Sequence, residues 1–139
     1  MRMVGVLLSA CVLSQIVSAQ APASDFQPVA TMKQLMVEMI HPASNEILVA
    51  ANRGQLRTDP EWAVVRRAAL ALAESGNLLI MRNRASDWVA ESRALVDVGT
   101  AVYKAADAKD ARAVAALTDR IDASCTSCHK KFRPALFAK

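Results

Sequence analysis

The sequence predicts an all-α protein, an antiparallel four-helix bundle with up-down-up-down connections. Three observations lead to this prediction. The chain of 139 residues is 53% hydrophobic but only 4% aromatic, and it is rich in alanine and leucine, which favour helices. Only four glycines and five prolines interrupt it. Apolar residues recur every three or four positions in four successive stretches, which is the spacing of one helix face.

The N-terminal part resembles an export signal. We predict a signal peptide at 1–19, a flexible segment at 20–27 and a four-helix domain at 28–139. Arg2 precedes an apolar run at 4–13, and Ala19 is a small residue at the expected cleavage point. The run is too short to span a membrane, so we expect a periplasmic protein without membrane insertion. A lipoprotein anchor at Cys11 is the alternative.

The first helix is predicted over 28–52. Its apolar face consists of Met32, Met36, Met39, Ile40, Ala43, Ile47 and Ala50. Pro42 lies inside this stretch, and we expect it to bend or interrupt the helix near His41. Gly54 is suited to the position just after the helix, because glycine adopts the left-handed backbone conformation without steric cost.

The second helix is predicted to begin near residue 59 and to end near Arg84. Asp59 can cap the free amides with Pro60 at the first helical position, or Thr58 and Glu61 can form a capping box. Its apolar face consists of Trp62, Val65, Ala69, Leu72, Gly76 and Leu79. The short connection that follows is typical of a bundle.

The third helix is predicted to begin at Ser86 or Asp87, and the fourth to run from Asp110 to the residue before Pro134. The apolar face of the third consists of Trp88, Ser92, Leu95, Val96, Gly99, Val102, Tyr103 and Ala106. That of the fourth consists of Val114, Leu117, Ile121, Cys125, Cys128 and Phe132. Two cysteines therefore lie on the apolar face near the end of the last helix.

These cysteines belong to the sequence Cys-Thr-Ser-Cys-His at 125–129. C-x-x-C-H is the attachment pattern of c-type haem. On a helix, Cys125 and Cys128 lie one turn apart and project the same way. Each thiol can then add to a haem vinyl group, while His129 binds the iron as proximal ligand. We predict one covalent haem c, and hence a cytochrome.

Other functions agree less well with the sequence. A thioredoxin-like pair would lie in a βαβ pattern, and a zinc site needs four ligands, for which only His41 remains beyond the motif. The net charge of +4, or +3 without Arg2, is small, and aromatic residues are few, so we expect no nucleic acid partner. We find no set of acid, base and nucleophile, and predict that the protein is not an enzyme.

The C-terminal sequence CTSCHKKFR resembles the cytochrome c-prime family, the class II c-type cytochromes. Their pattern is C-x-x-C-H, two residues, an aromatic residue and often arginine. The resemblance implies an antiparallel four-helix bundle with haem bound by Cys125 and Cys128 and ligated by His129. It also implies that Arg133 lies near the haem, where a guanidinium can stabilise propionate charge. The alternative for Arg133 is a solvated cation favoured by the helix dipole.

In that family the first helix provides the sixth iron position. Members with methionine there resemble electron carriers, and members with an apolar residue have an open iron that binds nitric oxide or carbon monoxide. We favour Met32 as the sixth ligand, with Met36 one turn later as the alternative. In the remaining interpretation none of the three methionines is a ligand, and Met32, Met36 and Met39 only fill space in the core. The predicted function is one-electron transfer, with gas binding as the alternative.

The expected partners are redox proteins. Lys130 and Lys131, together with Lys139, could form a basic rim that orients an acidic partner. The family resemblance also allows a homodimer. His41 is expected to be a bend residue rather than a ligand, and Trp62 and Trp88 are expected to be core residues.

Overall fold

The computed structural model describes residues 26–54 and 56–138, and it confirms an all-helical protein. Four helices pack with extensive contacts, consistent with a helical bundle. We number them in chain order: α1 comprises Met32–Gln34, Leu35–Ile40 and His41–Asn52, α2 spans Asp59–Arg82, α3 spans Ser86–Asp107, and α4 comprises Ala111–Ala116 and Thr118–Phe132. A 3-10 turn at Pro134–Leu136 follows.

The predicted signal peptide and Cys11 lie outside the described residues. Of the predicted flexible segment, only residues 26 and 27 are described, and neither belongs to a helix. None of the helices within 26–54 and 56–138 is both long enough and apolar enough to cross a membrane.

Local capping signals place the starts of α2 and α4 close to the predicted positions, whereas α1 begins at Met32, after the capping residue Thr31, and not at residue 28 as predicted. Thr58 and Glu61 form the capping box at the start of α2, and the Glu61 carboxylate accepts the Thr58 backbone N–H at 2.8 Å. Asp59 is therefore the first helical residue and not the cap. Asp110 caps α4 by accepting a backbone N–H three residues along at 2.9 Å. Gly54 has φ +61°, the left-handed conformation expected after α1.

Pro42 does not interrupt α1, so of the two predicted effects, a bend or an interruption, the interruption does not occur. A π-helical segment, Leu35–Ile40, comes directly before it, and the His41 backbone N–H donates to the Met36 carbonyl five residues back. Proline has no N–H, and its ring crowds the carbonyl four residues earlier. A wider turn relieves both problems, because its hydrogen bonds run over five residues. The helix therefore continues, with a changed register.

The change of register also corrects the predicted apolar face of α1. Ile40, at the end of the π segment, is buried, whereas Met39 is 39% exposed and does not face the core. Met32 and Met36 are half-buried and pack against the core. A wider turn moves the residues after it to new angles around the helix axis, so a regular helical period does not describe this stretch.

The closest helix pair is α2 and α3, where two glycines allow the backbones to meet. A Cβ added to Gly99 would lie 2.7 Å from the Ala73 backbone nitrogen, and one added to Gly76 would lie 2.9 Å from the Ser92 carbonyl oxygen. Trp88 joins α3 to its neighbours, because its Nε1 donates to the Leu79 carbonyl at 2.7 Å. The Trp88 ring also packs edge-to-face on Phe132 of α4, with centroids 4.9 Å apart.

We predict that Gly99→Ala lowers the free energy of unfolding by about 1–3 kcal/mol, because the new methyl group would overlap the backbone of α2. Without that overlap, the higher helix propensity of alanine relative to glycine would raise the free energy of unfolding by about 1 kcal/mol. Ala90→Gly, at an exposed position of the same helix, measures that propensity separately. Urea unfolding followed by circular dichroism gives both values. A more stable Gly99→Ala protein would contradict the close approach of α2 and α3.

Candidate functional site

The residues of the C-x-x-C-H sequence line a cavity between the helices, which we call the motif cavity. All four helices contribute to its wall, which consists of Met36, Ile40, Leu79, Glu91, Ser92, Leu95, Ser124, Cys125, Cys128 and His129. Cys125, Cys128 and His129 are each half-buried. The structure therefore brings the three predicted motif residues to one shared cavity, as their helical spacing requires.

A second cavity, the outer cavity, shares four of these wall residues. It is lined by Met36, Val37, Ile40, His41, Ser44, Cys125 and His129. Cys125 and His129 therefore line both the motif cavity and the outer cavity. In both cavities α1 contributes Met36 and Ile40 to the wall. The end of the π segment thus lies opposite the motif.

Burial determines the chemistry of the two thiols. Burial raises the pKa of Cys125, the Ser124 hydrogen bond lowers it in part, and the Asp122 carboxylate raises it further. Burial also raises the pKa of Cys128, with smaller contributions from the Glu91 carboxylate and from Cys125. Both groups therefore remain protonated thiols at neutral pH, which keeps them less reactive toward oxidants than a thiolate.

Polar groups in the motif cavity are few. Ser92 is 1% exposed, and its hydroxyl has no hydrogen-bond partner within the described part of the chain. Glu91 is half-buried and lies close enough to Cys128 to raise the pKa of its thiol. Ser92 lies on the predicted apolar face of its helix, whereas Glu91 was not among the predicted site residues. The one indication of Glu91 in the sequence is that it directly precedes Ser92.

The remaining predicted residues lie in different places. Met36 lines both cavities, whereas Met32 packs against the core and lines neither. His41 is exposed but borders the outer cavity. Arg133 is exposed and lines neither cavity, and its backbone N–H donates to the His129 carbonyl at 2.7 Å. Lys130 and Lys131 are exposed at the end of α4.

Most of the accessible surface of the motif cavity is apolar. Two thiols and an imidazole come from one helix, and Ile40, Leu79 and Leu95 provide apolar walls. Between residues 26 and 138, excluding 55, no group of three or more His, Cys, Asp or Glu side chains could hold a bare metal ion. In comparisons with known proteins, no family model, no curated protein and no solved structure matches the chain.

We predict that alkylation separates the two cysteines in haem-free protein lacking residues 1–19. A raised pKa delays thiolate formation, so iodoacetamide should label both cysteines in the folded protein only at higher pH than in urea. Glu91→Gln should move the pH profile of Cys128 labelling to lower pH and leave that of Cys125 unchanged. Asp122→Asn should move the profile of Cys125 to lower pH and leave that of Cys128 unchanged. Peptide mass spectrometry measures each rate. Identical profiles in folded and unfolded protein would contradict burial of the thiols.

Proposed function

We propose that the protein is a class II c-type cytochrome that carries single electrons through a haem c held in the motif cavity. The observation that supports this most strongly is the position of Cys125, Cys128 and His129. All three line one largely apolar cavity between four helices and do not face solvent on a loop. With the predicted export signal, we propose a periplasmic protein, because covalent haem attachment in bacteria follows export.

We also propose that the four helices connect up-down-up-down. Contacts between helix ends support this arrangement. The start of α3 meets the end of α4, where Trp88 packs on Phe132. The end of α2 meets the residues before α1, where the Arg82 guanidinium donates to the Ala30 carbonyl at 2.8 Å. Each of these pairs joins the beginning of one helix to the end of another.

Attachment requires no oxidant. Each cysteine thiol adds across one vinyl double bond, so that the sulfur bonds to one carbon and the hydrogen is transferred to the other. Cys125 and Cys128, on the same side of α4, would hold the haem through two thioether links of this kind. His129 of the same helix would provide the imidazole that binds its iron.

The sixth ligand we propose is Met36, although the sequence favoured Met32. Met36 lines both cavities beside Cys125 and His129, and Met32 lines neither. A thioether is a soft neutral ligand that raises the reduction potential of haem iron. Ile40, at the end of the π segment, is buried and borders the cavity. Together these two side chains hold α1 opposite α4.

The haem would supply a one-electron couple between ferrous and ferric iron. The chain's contribution is to keep the site dry and rigid. Leu79 and Leu95, on the closely packed α2 and α3, form apolar walls that exclude water and limit movement when the charge changes. This role requires no acid, base or nucleophile, and we propose that the protein is not an enzyme.

A second candidate function is the binding of nitric oxide or carbon monoxide at a five-coordinate iron. One observation favours it. The Ser92 hydroxyl is buried, borders the motif cavity and has no partner among the described residues. Buried hydroxyls normally have a hydrogen-bond partner, so Ser92 is available to donate to a small polar ligand. This function requires that Met36 leave the sixth position open.

We predict that protein exported together with the haem c maturation machinery has the mass of the processed chain plus one haem. Cys125→Ala and Cys128→Ala should each retain the pigment through one thioether, and the double variant should lose it during acid-acetone extraction. Intact-protein mass spectrometry and the pyridine haemochrome spectrum measure both results. A colourless, folded wild-type protein would contradict the proposed function.

We predict that Met36→Leu converts the iron from low to high spin, whereas Met32→Leu, a change of the same chemistry one turn earlier, leaves it low-spin. The reduced Met36→Leu protein should then bind carbon monoxide readily. Absorption spectra of both oxidation states, including the sulfur–iron charge-transfer band, distinguish the two variants. Loss of that band in Met32→Leu alone would assign the ligand to Met32, and a high-spin wild-type protein would favour gas binding.

A further inference from the structure

Positive charge is concentrated at the end of the molecule that carries the haem motif. We call this the motif end and define it by 26–34, 80–88 and 129–138, which meet through the contacts of Arg82 with Ala30 and of Trp88 with Phe132. These stretches contain six cations: Lys33, Arg82, Arg84, Lys130, Lys131 and Arg133. Asp87 is their one carboxylate, and it pairs with Lys131 at 3.0 Å. The motif end is therefore strongly basic.

The opposite end has a balanced charge. It consists of 50–54, 56–62 and 103–113, where α1 ends, α2 and α4 begin and α3 ends. Its cations are Arg53, Arg57, Lys104, Lys109 and Arg112, and its carboxylates are Asp59, Glu61, Asp107 and Asp110. Asp59 forms an ion pair with Lys109 there, and Asp107 pairs with Arg66 of α2 at 3.3 Å. The basic excess of the described chain therefore comes from the motif end.

Helix dipoles alone do not explain this distribution. They favour cations at the ends of α2 and α4, where Arg82, Lys130 and Lys131 lie, but they favour carboxylates at helix starts. At the opposite end α2 follows this rule, with Asp59 and Glu61 in its first turn. At the motif end α1 does not, because its first turn has no acidic residue and contains Lys33. Lys33 therefore adds positive charge at the motif end that the dipole of its helix does not favour.

The surface beside these cations also exposes apolar side chains. Leu136 is 60% exposed and Phe137 is 47% exposed, on and directly after the 3-10 turn that follows α4. The Lys130 ammonium lies 5.9 Å from the centre of the Phe137 ring. Apolar side chains surrounded by charge are the usual arrangement of a protein docking surface.

We propose that the motif end is the docking surface for an electron-transfer protein whose own cofactor is surrounded by carboxylates. This inference rests on the proposed function. Positive potential at the motif end would steer such a partner and orient it toward this end of α4, which raises the association rate more than the affinity. Leu136 and Phe137 then provide a small apolar contact area in the docked complex.

The surface fits a protein better than a membrane. Peripheral membrane helices present a broad apolar face along several turns, but here the apolar residues lie on and beside a three-residue turn. The cations come from three separate chain segments and include the Lys131–Asp87 pair, so they do not form one continuous basic stretch. An acidic protein can match such a distribution residue by residue.

The test compares two charge-reversed holoproteins with equal net charge. Arg84→Glu/Lys130→Glu changes the motif end, and Arg53→Glu/Arg112→Glu changes the opposite end; all four residues are exposed. Stopped-flow absorption follows oxidation of the reduced protein by anionic hexacyanoferrate(III), by cationic tris(phenanthroline)cobalt(III), and by a blue copper protein with carboxylates around its copper. Each rate is measured at low and high salt, after haem content and helicity have been checked.

We expect the motif-end variant to react about tenfold more slowly with both anionic oxidants at low salt, and faster with the cobalt complex. The opposite-end variant should change each rate less than twofold, and high salt should remove the differences. Equal effects of both variants on a haem-loaded protein would overturn the docking surface but not the cytochrome. Salt-sensitive binding to phosphatidylglycerol vesicles, with no steering of the copper protein, would assign the surface to a membrane and overturn the proposal. Absence of haem would overturn both proposals.

Discussion

The close contact between α2 and α3 is the constraint on which the site depends. Gly76 and Gly99 leave no room for a Cβ between the two backbones, so the helices meet at a fixed distance along their length. This contact fixes the positions of Leu79 and Leu95, which line the motif cavity. Because α1 and α4 pack against this pair, a shift of the α2–α3 contact would change the width of the cavity as well as the core. Stability and site geometry are therefore controlled by the same contact.

The α1 side of the cavity depends on a different local cause. Pro42 cannot donate a hydrogen bond, and the π segment Leu35–Ile40 compensates in the preceding turn. This segment places Met36 and Ile40 at the cavity and turns Met39 outward. Segments of this kind often occur at functional sites. Met36 lies inside this segment and lines both cavities together with His129, whereas Met32 lies before it and lines neither.

Much of the fold was predictable because its signals are local. The capping residues Thr58 and Asp110 and the left-handed Gly54 mark helix ends through interactions within a few residues, and the structure places the ends there. The site was predictable only in part. The spacing of Cys125 and Cys128 determines that they share a helix face, but the presence of Met36 rather than Met32 at the cavities depends on how α1 packs, which the helical period does not reveal. Glu91 could not be identified either, since its position beside Cys128 results from packing between α3 and α4.

The position of the motif near the end of α4 agrees with two requirements of the electron carrier that we propose. The cofactor must lie in a dry, rigid site, and it must also lie close to a surface where a partner can dock. Cys125 is packed against the core, whereas Ser127 between the two cysteines is exposed. A group linked to both Cys125 and Cys128 would therefore extend from the core toward solvent. The last turn of α4 also belongs to the motif end, so a haem held in the way that we propose would lie near the six cations of that end.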